Sequence, residues 1–120
     1  MSKLSAQERR KNPRASGNVP VKISHEAGDI VTETVNISRS GAYCKIDRYV
    51  EPMTRMKVNI LLPLWKNNRN TTKKVSCEGA VVRTEPATEK EFFHIAIFFN
   101  KISRRGAEVI GDYAEYYLSQ

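Results

Sequence analysis

Phe92-Phe93-His94-Ile95-Ala96-Ile97-Phe98-Phe99, followed after a short polar break by Ser103-Arg104-Arg105-Gly106-Ala107-Glu108-Val109-Ile110 and on to Tyr117-Leu118, is where the hydrophobic period of this chain changes. The first stretch is apolar on both faces of a strand, which predicts a strand with neighbours on either side. In the second, Ala107, Ile110, Tyr113 or Ala114, and Tyr117 recur at helical spacing, predicting a helix over about 103–118. Arg104 and Arg105 fall in its first turn, where cations oppose the macrodipole, so they are not placed for helix stability. A contact with an acidic ligand or partner is one role open to them.

Working back toward the N-terminus, the apolar runs are short, rich in β-branched residues and separated by turn residues. Val19, Val21 and Ile23 share one face of a strand, and His25–Asp29 turns the chain into a second over Ile30–Val35. Gly41–Ile46 is a third, with Ala42, Cys44 and Ile46 on one side. Met56–Leu64 and Val75–Thr84 form a hairpin across a basic, Asn- and Thr-rich stretch holding Lys66, Arg69, Lys73 and Lys74, which reads as a solvated loop. Pro63 places the end of its own strand at an edge or an exit. Six strands followed by one helix predict an all-β domain with a single helix: a six-stranded antiparallel β-barrel capped by a C-terminal α-helix.

The 120 residues make one domain, with 40% apolar and 28% charged residues, a balance that supports a packed core and argues against intrinsic disorder. No apolar run approaches the ~20 residues of a membrane-spanning helix, and no apolar segment follows the basic N-terminus as in a secretory signal. A cytoplasmic location is expected. Residues 1–8 read as a flexible tail and 9–120 as the domain, with an arginine-bearing loop over 9–18. Cys44 and Cys77 are expected to be thiols buried as small hydrophobes. His25 and His94 lie far from each other and from the cysteines, so neither a metal site nor a cofactor is expected. No nucleophile with an activating base is identifiable, which argues against an enzyme.

The net charge of +7 calls for an anionic partner, and residues 1–14 hold five basic residues against one acid. Within them, Arg10-Lys11-Asn12-Pro13-Arg14 sets two guanidiniums on a loop, since Pro13 drives Asn12 out of the helical region. Each fork can hold phosphate oxygens or the O6/N7 edge of guanine, or stack on a purine face. Asn36-Ile37-Ser38-Arg39-Ser40-Gly41 then joins two strands. Asn36 and Ser38 project to one side if the pleat continues that far, and Gly41 permits a positive φ or a ligand's close approach. Alone, each motif is ordinary: one an Arg pair in a basic chain, the other a polar turn.

Together, Arg10-x-x-x-Arg14 before the first strand and Asn36-x-Ser38-x-x-Gly41 between the second and third resemble the PilZ domain family. The likeness continues through Gly79-Ala80-Val81-Val82-Arg83, the sixth strand and the closing helix, over roughly residues 8–118. The resemblance implies a bacterial second-messenger receptor that binds cyclic di-GMP, with Arg10 and Arg14 on phosphates and guanine, and Asn36, Ser38 and Gly41 lining the guanine site. Arg9, Arg39 and Arg83 are weaker candidates. Ordering of the arginine loop on the ligand would be the switch, read out by an effector protein in contact with this chain. Two positions depart from the family pattern. Asn36 stands where many members have Asp and offers one carbonyl oxygen in place of two. Ala96 stands where glycine is common, a change expected to affect packing more than ligand contact. Two other readings remain open: a basic β-barrel that binds nucleic acid, with Phe92, Phe93, Phe98, Phe99 or Trp65 as stacking platforms, and a PilZ-like protein-interaction module without nucleotide.

Overall fold

The structure, a computed structural model, describes residues 15–16, 18–26 and 28–118. Its elements are β1 (Ala15–Ser16), β2 (Pro20–Ser24), β3 (Ile30–Ser38), β4 (Gly41–Ile46), β5 (Arg55–Lys66), β6 (Arg69–Pro86), β7 (Phe93–Lys101) and α1 (Arg104–Leu118). All strand pairs are antiparallel, and they run β3-β2-β5-β6-β7-β4 and back to β3. The expected six-stranded ring with a C-terminal helix is therefore what forms, and β7 has the two neighbours its doubly apolar sequence called for. The two-residue β1, which the sequence did not announce, pairs with the far half of β3 on the same edge that β2 occupies at the near half. Between them, Thr34 donates its N–H to the Val19 carbonyl at 2.9 Å and accepts from the Val19 N–H through its hydroxyl at 3.3 Å. That double contact lets a buried threonine sit among aliphatic side chains.

The alternation in the short strands translates directly into burial. Val19, Val21 and Ile23, then Ala42, Cys44 and Ile46, point into the ring, where they meet Val58, Ile60, Ile95 and Ile97. Each buried valine or isoleucine among them contributes about 1.5–3 kcal/mol by leaving water. Ile110, Tyr113 and Ala114 of α1 join the same core, as their spacing predicts. The Ser103 hydroxyl caps the helix by accepting the Gly106 N–H at 2.9 Å. Both cysteines are buried free thiols, pushed up to about 12 at Cys44 and about 11 at Cys77 by loss of hydration. Among the described residues no helix is long and apolar enough to cross a membrane.

The basic stretch after Leu64 departs from expectation. It is not a loop: β5 runs to Lys66 and β6 restarts at Arg69, joined by Asn67 and Asn68 at φ 55° and 62°. Positive φ at both positions is the two-residue hairpin geometry that asparagine tolerates. Beyond Ile60 the β5–β6 pair no longer has β2 alongside, which accommodates Pro63 at a position where no described strand needs its missing N–H. Lys73 and Lys74 are strand residues of this ribbon and face solvent.

Candidate functional site

The surface that gathers the motif residues is the outer face of the ring across β3, β4, β7 and β6. A register shift between Thr34 and Asn36 inserts an extra residue, Val35, into β3 opposite β4. Burial then switches parity: Ile30 and Thr34 point inward before it and Ile37 after it, so Asn36 emerges on the outside. From there the pairing is continuous. Asn36 stands beside Tyr43, Tyr43 beside Ala96, and Ala96 beside Arg83, across roughly 14 Å of sheet. Ser16 of β1 pairs with Asn36 from the other side, so five strands contribute one row.

A concavity of about 340 Å³ lies over that row, bounded by Asn36, Gly41, Tyr43, Arg83, Ala96 and Phe98. The Arg83 guanidinium carbon is 6.0 Å from the centre of the Tyr43 ring, and its Nε lies 3.4 Å from Oε2 of Glu85. The Tyr43 hydroxyl donates to the other Glu85 oxygen at 3.4 Å, and its ring tilts against His94 at 5.3 Å. These contacts are solvent-exposed and long, and an exposed ion pair contributes at most about 1 kcal/mol. An incoming anion can therefore recruit Arg83 at small cost. Phe98 is 49% exposed beside the cavity. The face thus offers a cation, a carboxamide, two aromatic side chains and a shallow floor at Ala96, an assortment suited to a planar, anionic ligand.

A family model described as PilZ domain matches residues 8–116. The chain belongs to the PilZ domain family. Among solved structures, the Bacillus subtilis inhibitor of motility (MotI/DgrA) superposes with a TM-score of 0.77 at 19% identity, covering 92% of this chain and 51% of that one. This chain thus spans about half the length of MotI/DgrA. The PilZ domain of YcgR from Escherichia coli, solved with c-di-GMP, superposes with a TM-score of 0.68 at 8% identity over 92% of both chains. At these identities the likeness is one of fold. No curated protein matches the sequence at a significant level.

The PilZ motif residues do not all occupy the cavity. Arg9, Arg10 and Arg14 lie outside the described residues, as do the tail and most of the 9–18 loop. Asn36, Gly41 and Arg83 are brought together. Ser38 has the parity of Asn36, but it is fully buried: its hydroxyl accepts the Ser40 N–H at 3.3 Å and lies 3.2 Å from the Ser40 hydroxyl. It fixes the two-residue turn Arg39–Ser40, and it presents no free edge to the cavity. Arg39 points away, its guanidinium lying where a Cβ on Gly111 of α1 would be only 2.9 Å from Nη2. Gly41 has no positive φ, and what approaches it closely is the chain itself: a Cβ there would meet the Ile97 carbonyl oxygen at 2.3 Å.

Ala96 corrects the expectation in the other direction. It faces outward at the middle of the row, so its methyl group bears on the cavity floor and not on core packing. Tyr43 and Phe98 were not singled out for this face by their motifs. Tyr43 sits in a plain strand alternation, and Phe98 in a run of aromatics of which only Phe99 is deeply buried. The pairing of Asn36 with Tyr43 rests on the bulge at Val35, for which the sequence carries no signal.

Proposed function

We propose that this PilZ domain is a receptor for cyclic di-GMP that works as an adaptor, passing ligand occupancy to a partner protein by contact. The observation that carries the reading is the pairing of Ala15 with Ile37 and of Ser16 with Asn36. It delivers the residue that follows Arg14 to the edge of the same strand that bears Asn36, one step from the cavity. In this reading Arg10 and Arg14, supported by Arg9, take the phosphates and one guanine face. Asn36 reads the guanine edge, Gly41 and Ala96 form the floor, and Arg83 supplies a further cation. Ser38 holds the turn. Engagement of the arginines by the ligand orders the residues that precede β1 over the cavity, and that change of surface is what a partner reads.

The test is isothermal titration of the chain with cyclic di-GMP, GTP and single-stranded RNA, repeated on Arg14→Ala. Saturable binding selective for cyclic di-GMP is expected. Loss of one charge-assisted contact of ~1.5–3 kcal/mol should weaken it at least about tenfold in the variant. Tighter binding of RNA, with steep salt dependence, would replace this reading by a nucleic-acid binder. Absence of heat with all three would leave a protein-interaction module; Asn36 in place of Asp and the Ala96 methyl, both in the one row, are the features that favour that outcome.

A further inference from the structure

A second concavity, about 290 Å³, lies between α1 and the β5–β6 ribbon and shares no residue with the first. Leu64, Val109, Tyr113 and Tyr116 supply its apolar walls. Tyr116 remains 47% exposed, an aromatic side chain that the fold leaves half uncovered on the helix. Lys73 from the ribbon and Arg105 from the helix stand at its rim, with Asp112 as the one acid.

The charge there works against the helix and, among the described residues, is not drawn into an ion pair. Helix α1 opens with two arginines and has no acidic residue in its first turn. Cations at that end oppose the macrodipole. Among the described residues, none of Arg104, Arg105, Lys73 and Lys74 forms an ion pair. Two separate elements thus aim positive charge at one apolar slot, and neither uses it for its own stability. An occupant that answers both features has carboxylates around an apolar side chain. Residues 1–14 of this chain, five basic residues against one acid, have the wrong sign. A nucleic acid could answer the two cations but would leave the Leu64 and Val109 walls without a matching aliphatic surface.

We propose that this slot docks an acidic segment of a partner protein, with one apolar side chain seated against Leu64 and Tyr116 and carboxylates bridging Arg105 and Lys73. The proposal stands apart from the nucleotide reading, because it uses neither the first cavity nor the N-terminal arginines. The test is a titration of the isotope-labelled chain, followed by backbone amide resonances. The probes are a short Asp/Glu peptide with one central Phe, the same peptide with Ser for Phe, a charge-reversed Lys peptide, and a single-stranded oligonucleotide. The acidic Phe peptide should move the resonances of Leu64, Val109 and Tyr116, and both the Ser peptide and Arg105→Glu should bind about tenfold more weakly. The Lys peptide should leave those resonances in place. A thermal midpoint in Arg105→Glu at or above that of the parent separates lost docking from lost folding, since an acid suits that helix end. The proposal is overturned if the Phe peptide moves other resonances or none, if Ser serves as well as Phe, or if the oligonucleotide occupies the slot more tightly.

Discussion

Substituting Gly41 by alanine asks why a glycine closes the Asn36–Gly41 motif. The added Cβ would lie 2.3 Å from the Ile97 carbonyl oxygen, about an ångström short of the 3.4 Å at which ordinary van der Waals contact begins. The obstacle is backbone, so no rotamer change relieves it. Strands β4 and β7 must separate locally, and the Phe99 N–H to Ser40 carbonyl bond, at 2.9 Å next door, is the first to stretch beyond use. Loss of that bond costs about 1 kcal/mol and forced overpacking about 1–3, for a total near 2–4 kcal/mol. For a chain of this size the thermal midpoint should fall by roughly 10–15 °C. Urea and thermal unfolding followed by far-ultraviolet circular dichroism, without any ligand, measure it. A Gly41→Ala protein within about 0.5 kcal/mol of the parent would refute the reasoning and return the glycine to a role in ligand approach.

Ala96→Leu should fill the floor of the first cavity at little cost to the fold, within about 1 kcal/mol by urea unfolding, because the side chain faces outward. Titration should then show cyclic di-GMP binding weakened at least about tenfold. Ser103→Ala removes the cap on the Gly106 N–H and should lower stability by about 1 kcal/mol, read from the same unfolding curves. The cysteine thiols, held near 12 and 11 against an unperturbed 9.0, keep protons in the fold that the unfolded chain gives up. Stability is untouched by them below pH 9 and falls as pH climbs from 9 toward 11 and 12, where the folded thiols ionise too, so unfolding midpoints should drop between pH 9 and 12. At pH 8 a thiol reagent should label the folded chain far more slowly than the urea-unfolded one.

The parts of the fold that were legible in the sequence are those with a single buried face. Gly41–Ile46 is a strand with the bounds its alternation suggests, and Ile110 and Ala114 are buried where the helical spacing puts them. The start of β6 was illegible because residues 69–74 are exposed on both faces, so there is no hydrophobic period to read. What the stretch does carry is Asn67-Asn68, a turn signal outweighed by the surrounding Asn, Thr and Lys. At the candidate site, the outward placement of Asn36 depends on the bulge at Val35, and the roles of Ser38 and Gly41 on backbone distances that residue types do not encode. A buried serine and a glycine pressed against a neighbouring strand look, in one dimension, the same as a ligand-reading pair.

Among the described residues, the outer part of the β5–β6 ribbon packs against α1. No third described strand pairs with it past Ile60, and Leu62 and Leu64 rest on the side of the molecule where α1 lies. An isolated two-stranded ribbon is marginal in water. The ribbon therefore leans on a helix that is itself anchored in the core through Ile110 and Ala114: its outer amide protons should exchange below the free energy needed to breach the ring, and faster still in a variant that loosens α1.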